Sequence, residues 1–288
     1  MDLRRAGAAV AELAAPAPEV ERRADALANG EFEIPLRLYS PEGLSDVELP
    51  GLIFFHGGGL VSGDLDTSDS LCAALCHLGR CRVVAVDYRL APESRFPAAH
   101  DDALAAVMAV AATPSRWAID GTRLGVAGDS AGGNLAVSAA RRAGVAGVGL
   151  ALQLLLCPVL DPLARTPSRR DLANGHLIEE ATMRRYWELY RIDGLGPDDE
   201  RVAPLRVTNF SGTPPTLIHT AEYDPMRDEG ALYARALASA GVPVRHLSHP
   251  GMIHHFYGLG AVIPAAQTAL AAIGAQLREA FAGRVSWP

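Results

Sequence analysis

The chain has 288 residues, of which 49% are hydrophobic and 20% charged, a balance that excludes a disordered or fibrous polypeptide. Basic residues number 26 against 33 acidic ones, for a net charge of −7, which disfavours nucleic acid or an anionic membrane surface as a partner. Every basic residue is arginine and lysine is absent, excluding Ser–Lys hydrolases, Schiff-base and pyridoxal-phosphate enzymes, and the lysine-dependent phosphate loop.

In chain order, Leu3, Val10 and Leu13 fall at helical spacing until Pro16 and Pro18 end the segment. Charges at Asp2, Arg4, Arg5 and Glu12 argue against a signal peptide. Phe32, Ile34, Leu36 and Leu38 alternate and predict a strand over 31–39, with Pro35 suggesting a sheet edge. Short apolar runs at 52–55, 83–86, 124–127, 150–156, 216–220 and 242–247 predict strands buried on both faces. Helix-compatible stretches at 68–78, 98–112, 134–142, 229–240 and 261–282 lie between or after them. The alternation predicts an α/β fold with a mostly parallel central sheet flanked by helices. Residues 161–204 break it with charge, Pro, Gly and the aromatic cluster Tyr186, Trp187 and Tyr190, and read as a helical insertion covering a site together with the N-terminal segment.

Four cysteines in a chain of this length make no disulfide framework. Cys72, Cys76 and Cys81 lie near His77, but their spacing matches no standard zinc pattern, and Cys72 and Cys76 read as one buried helix face. The uncharged run 143–160 holds several glycines, Gln153 and Pro158, and reads as a buried strand with its approach loop rather than a membrane span. A cytoplasmic protein without stable membrane insertion is the expectation.

The sharpest chemical signal is Gly128-Asp129-Ser130-Ala131-Gly132, following a predicted strand and preceding a helix. That context suits a serine nucleophile on a strained strand-to-helix turn, with the helix N-terminus favouring developing negative charge. His56-Gly57-Gly58-Gly59 follows another strand, and consecutive glycines there let backbone N–H groups converge, with that of Ala131, on an oxyanion. His56 itself reads as a loop organiser. A serine nucleophile needs a base, and the base an orienting carboxylate. Asp224 stands at a strand end, whereas Asp228 and Glu229 open the next helix. His219 and His246 lie within strands and read as structural. His249, His254 and His255 share the right loop, and spacing leaves them open, with His254 preferred. Arg89 and Glu93 are expected to hold their loop and the glycine-rich segment through charge-assisted bonds.

These stretches, with Gly63-Asp64-Leu65-Asp66, Asp87-Tyr88-Arg89-Leu90-Ala91-Pro92-Glu93, Gly133-Asn134, Asp224-Pro225-Met226-Arg227-Asp228-Glu229 and Gly251-Met252-Ile253-His254, resemble the hormone-sensitive-lipase-like bacterial esterases, α/β-hydrolases with a helical cap. The resemblance runs from about residue 34 to the C-terminal helix. It implies Ser130 as nucleophile, Asp224 as acid and His254, at the family's G-x-x-H position, as base. It implies Gly58, Gly59 and Ala131 as oxyanion donors, and one domain over 1–288 with cap elements at about 1–30 and 161–204. Two departures reshape a pocket wall: Leu60 stands where an aromatic residue is common, and His255 where a small one is frequent. Tyr186 and Trp187 are candidates to line the pocket. The implied activity is a serine carboxylesterase acting on small-molecule esters with short-to-medium acyl chains, without metal or organic cofactor, as a monomer or homodimer. An amidase, formamidase or lactonase could use the same triad. A non-catalytic receptor of this fold would be expected to have lost part of it.

Overall fold

The structure is a computed structural model that describes residues 3–45, 47–192, 195 and 199–284. Residues 193, 194 and 196–198 of the expected insertion, residues 1–2 of the N-terminal segment and 285–288 of the expected domain lie outside the described residues. Eight strands form one sheet: β1 (Val20–Asn29), β2 (Phe32–Pro41), β3 (Leu49–Phe55), β4 (Arg82–Val86), β5 (Ile119–Asp129), β6 (Leu152–Leu156), β7 (Thr216–Tyr223) and β8 (Val244–Ile253). Their order is β1-β2-β4-β3-β5-β6-β7-β8. The β1–β2 and β2–β4 pairs are antiparallel and the rest parallel.

The strands from β3 to β7 carry short, mostly apolar runs because both faces are covered. Ile53, Phe55, Val84 and Val86 pack into one core with α3 (Ala98–Ala112), α4 (Ala131–Val145) and α7 (Arg227–Ser239). Leu52, Phe54, Val83 and Ala85, the alternate residues of the same strands, pack into a second core with α2 (Asp69–Gly79) and α8 (Ala265–Phe281). Cys72, Cys76 and Cys81 are free thiols in that second core, while His77 is exposed, so this Cys/His cluster does not converge on a common point.

Two expectations need correction at the sheet's edge. Pro35 does not mark an edge strand: β2 lies between β1 and β4. The β4 ladder begins at Leu36, and Pro35 accepts the Asp87 N–H at 3.0 Å just beyond it, so the missing proline donor breaks no ladder bond. The outer strand is β1, within the stretch expected to belong to a cap. Its sequence, VERRADALAN, buries only Leu27; an edge strand with charged side chains in solvent shows no apolar alternation to read.

The insertion is helical, with α5 (Pro167–Asp171) and α6 (Glu180–Tyr190), and α1 (Leu3–Ala11) precedes the sheet. Among the described residues, no helix is long and apolar enough to cross a membrane.

Buried imidazoles pin these layers together. Tyr190 donates from its hydroxyl to His100 Nδ1 at 2.6 Å, and His100 Nε2 donates to Asn134 Oδ1 and the Arg201 carbonyl at 3.0 and 2.9 Å. His219 Nε2 donates to Gln276 Oε1 on α8 at 3.0 Å, and its Nδ1 accepts from His249 Nε2 at 3.0 Å. His246 bonds Thr220 Oγ1, so the strand histidines are structurally satisfied. Burial is the largest influence on both buried rings, pushing His100 down to about 4 and His219 to about 3.

The unfolded chain titrates its histidines near the ordinary value of about 6.5, so it takes up protons first as pH falls. The stability these two rings confer is present above about pH 6.5 and is lost toward their folded values, at about 2 kcal/mol per imidazole between pH 7 and pH 5. Thermal melts at those two pH values check this. His219→Gln is expected to show a shallower acid slope than the parent; an unchanged slope would assign the loss to other groups.

Candidate active site

Parallel strands place their C-terminal ends along one side of a sheet, which is where α/β folds collect chemistry. Ser130 follows β5, the glycine run follows β3, Asp224 follows β7 and His254 follows β8. Tyr223 pairs directly with Ile253, so the next residue of each strand, Asp224 and His254, emerge side by side.

Ser130 has φ 53° and ψ −120°, a conformation that side-chain-bearing residues rarely adopt. It is over-determined by its surroundings. Its N–H donates to the Leu156 carbonyl at 2.8 Å, and its own carbonyl accepts from Gly133 and Val159 N–H, each at 3.0 Å. The turn is tight enough to press α4 against the end of β3: a Cβ on Gly132 would sit 2.0 Å from the Phe55 carbonyl oxygen.

His254 links the other two groups. Its Nδ1 donates to Asp224 Oδ2 at 2.8 Å, leaving Nε2 to accept from the Ser130 hydroxyl at 3.0 Å. Asp224 is fully buried, and its second oxygen accepts the Met226 N–H at 2.9 Å. Burial by itself would lower the His254 pKa, but the Asp224 charge and hydrogen bond, with Asp129 further away, outweigh it and hold the ring above the ordinary imidazole value.

The remaining candidates separate clearly. His249 bonds His219, away from Ser130. His255 takes a left-handed backbone, φ 58°, and donates from Nδ1 to Asp129 Oδ2 at 3.0 Å. Asp228 accepts the Ser168 N–H and pairs with Arg227, while Glu229 accepts the Leu160 and Asp161 N–H groups, so neither faces His254. His56 stacks on Tyr88 with ring centroids 4.3 Å apart and bonds the Gly57 carbonyl, a loop-organising position.

Gly58 and Gly59 have φ of 112° and 66°. Among the described residues, no protein acceptor takes the N–H of Gly58, Gly59 or Ala131. Leu60 also has positive φ and, with Gly59, Tyr186, Trp187 and Ser130, lines a cavity of about 70 Å³. A wider groove of about 350 Å³ meets it at Ser130 and Gly59, lined by His254, His255, Asp129 and the α1 residues Leu3, Ala6, Gly7 and Val10. Tyr186 borders both spaces, and its ring lies where a Cβ on Gly59 would be, 2.2 Å from that position.

The expectation for Arg89 and Glu93 holds only in part. Arg89 binds the buried Asp102 carboxylate on α3 with contacts of 2.7 and 2.8 Å, because that carboxylate has no solvent to serve it. Glu93 reaches the glycine-rich segment indirectly, through Arg4 of α1, whose Nε donates to the Val61 carbonyl at 2.9 Å. Sequence reasoning also passed over cavity residues Arg169, Met183 and Val202, which belong to no motif with a recognisable spacing, and gave no role to Met226 and Asn134, which it quoted within motifs.

One donor set merits testing for a metal. Ligand atoms of Cys157, Asp224 and His254 lie within 4.8 Å of one another. Asp224 and His254 already engage each other, and burial raises the Cys157 thiol pKa well above its usual value, keeping it neutral. This set suits proton transfer better than a cation.

The sequence profile of a family described as alpha/beta hydrolase fold matches residues 52–258. The chain is 38% identical over 246 residues to carboxylesterase NlhH of Mycobacterium tuberculosis (strain ATCC 25618 / H37Rv), covering 84% of this chain and 76% of that protein. It is likewise 38% identical over 250 residues to ethyl acetate hydrolase of Pseudomonas putida, covering 85% and 78%. Among solved structures, an ester hydrolase from the metagenome of Lake Arreo superposes with a TM-score of 0.93 at 38% identity, covering 97% of this chain and 90% of that one. An esterase of Pyrobaculum calidifontis gives a TM-score of 0.89 at 32% identity, covering 96% and 90%. With its strand order and the serine turn at the sheet's C-terminal side, the chain belongs to the alpha/beta hydrolase family.

Proposed function

We propose that the chain is a serine carboxylesterase of the hormone-sensitive-lipase-like branch, with Ser130 as nucleophile, His254 as base and Asp224 as its orienting acid. The observation that carries this is the unbroken hydrogen-bond chain from Asp224 through His254 to Ser130, at the point where cavity and groove meet. Relatives named as carboxylesterase and ethyl acetate hydrolase support the same chemistry.

His254 Nε2 takes the hydroxyl proton as Ser130 Oγ attacks the ester carbonyl carbon. Negative charge gathers on the carbonyl oxygen, for which Gly58, Gly59 and Ala131 offer N–H donors worth about 3 kcal/mol each in the transition state. Collapse breaks the ester C–O bond, and the imidazolium passes its proton to the departing alkoxide. Water, activated by the same ring, then cleaves the acyl-enzyme.

With His254 as the base, its position supports a division of labour between the two spaces. The leaving oxygen must lie within reach of Nε2, and His254 lines the wide groove but not the smaller cavity. The alcohol therefore departs through the groove beneath α1, and the acyl chain occupies the cavity of about 70 Å³ under Tyr186 and Trp187. On this reading α1 and the insertion from 161 to 204 act as the cap, and Leu60 and His255 shape one space each. Four unbridged, buried cysteines suit a cytoplasmic setting.

Ser130→Ala is expected to lower kcat on the order of 10⁶-fold. Asp224→Asn should lower it about 10⁴-fold by stabilising the wrong tautomer, and Asp228→Asn far less; if Asp228→Asn in a folded protein were the more damaging, the acid would be misassigned. Across p-nitrophenyl esters from acetate to palmitate, kcat/KM should peak at a short or medium acyl chain and collapse for the longest. A maximum at palmitate would contradict an acyl cavity of limited size.

The base acts only when neutral. Because Asp224 holds the His254 pKa above about 6.5, activity should be complete above that pKa and fall as pH drops through it. The acid limb of a kcat/KM–pH profile is thus expected to inflect above 6.5; an inflection well below would show that burial, not Asp224, controls the ring.

A further inference from the structure

The acyl cavity holds a charged group for which ester hydrolysis has no use. Arg169 on α5 lines it together with Met183, and only 5% of the Arg169 side chain is exposed. Most of its donors are spent. Nε and Nη2 both reach Glu229 Oε1 at 2.7 Å, and Nη2 also reaches the Asp161 carbonyl at 3.2 Å. Nη1 differs: among the described residues its only hydrogen-bond acceptor is the Met183 thioether, at 2.9 Å. Sulfur of that kind is a weak acceptor. The nearest carboxylate oxygen, Glu180 Oε2, stands off at 3.6 Å and is itself buried without a hydrogen-bond partner. Within this cavity-lining residue, Nη1 has therefore lost its water without gaining a good acceptor.

We propose that Nη1 of Arg169 is a recognition point for acyl groups carrying a neutral hydrogen-bond acceptor, a ketone or ether oxygen a few carbons from the ester carbonyl. The inference rests on the esterase reading and on the acyl chain occupying this cavity. Charge decides the class. Glu229 and Glu180 face the one guanidinium with two carboxylates, so an acyl chain ending in a third carboxylate is repelled. A keto oxygen adds no charge and can replace the thioether as the partner of Nη1. A plain hydrocarbon chain leaves that nitrogen as poorly served as before. Arg169 is here a specificity residue, with no part in bond making or breaking.

The test compares p-nitrophenyl 4-oxopentanoate with p-nitrophenyl pentanoate, each rate divided by that ester's alkaline hydrolysis rate to remove intrinsic reactivity. The parent enzyme is expected to favour the oxo ester about tenfold in kcat/KM, and to take the p-nitrophenyl half-ester of succinate more slowly than the pentanoate. Arg169 is best left in place, because its removal would strand the buried Glu229 carboxylate. Met183→Gln instead sets an amide oxygen beside Nη1 and should bring the oxo preference down to about one. Met183→Leu withdraws the sulfur and should keep the preference at the parent level or above. A parent ratio near one, or a ratio unchanged by Met183→Gln, overturns the proposal while leaving the esterase intact. Failure to hydrolyse even the pentanoate would overturn the esterase reading on which it stands.

Discussion

The close approach of α4 to the end of β3 is the constraint from which the rest of the site follows. Gly132 lets that helix sit against the Phe55 carbonyl, and the register pairing Phe55 with Gly128 brings the glycine run after β3 level with the turn after β5. Ser130 is then forced into its strained conformation, its hydroxyl carried out of the turn and its backbone tied to β6 through Leu156. Strain of this kind persists only where surrounding packing over-determines it. Here the packing is a sheet buried on both faces, so the cost at one residue is spread over two hydrophobic cores.

The segment from Asp224 to Glu229 couples chemistry to the insertion. Its first residue orients His254, and its last, five residues on, accepts two backbone N–H groups where the insertion begins and binds Arg169 on α5. The carboxylate bonded to His254 and the carboxylate bonded to Arg169 thus leave the same turn and helix start. The N-terminal helix is held quite differently, by Arg4 at the protein surface and with none of its residues buried. The α1 side of the groove thus has fewer buried anchors than the Arg169 side of the cavity.

Much of this was legible from the chain alone. Strands β3 to β7 were readable because burial on both faces leaves nearly continuous apolar runs, and α3 because its ends coincide with Pro97 and Pro114. Ser130 was readable because so tight a turn demands glycine at close approaches, which writes the requirement into adjacent residues. β1 was not, since an edge strand with its side chains in solvent carries no periodic signature. Pro35 misled because, although inside the β1 ladder, it falls one residue past the β4 ladder, a matter of register that local sequence does not encode. Nor could spacing choose among His249, His254 and His255: the expected shared loop is not there, since His249 lies inside β8 and only His254 and His255 follow it.

What the sequence determined by itself is the layer architecture and the chemical type of each candidate group, because both depend on contacts between residues close in the chain. What only the tertiary structure decided is which of those groups meet. Ser130 and His254 are 124 positions apart and Asp224 and His254 are 30; the second pair meets because β7 and β8 are neighbours, and the first because β5 ends on the same side of the sheet. The same holds for Arg169, unremarkable in sequence, which becomes a buried charge on a cavity wall only when α5 packs against Glu229 of α7. Long-range juxtaposition is a property of strand order and register, and no local pattern carries it.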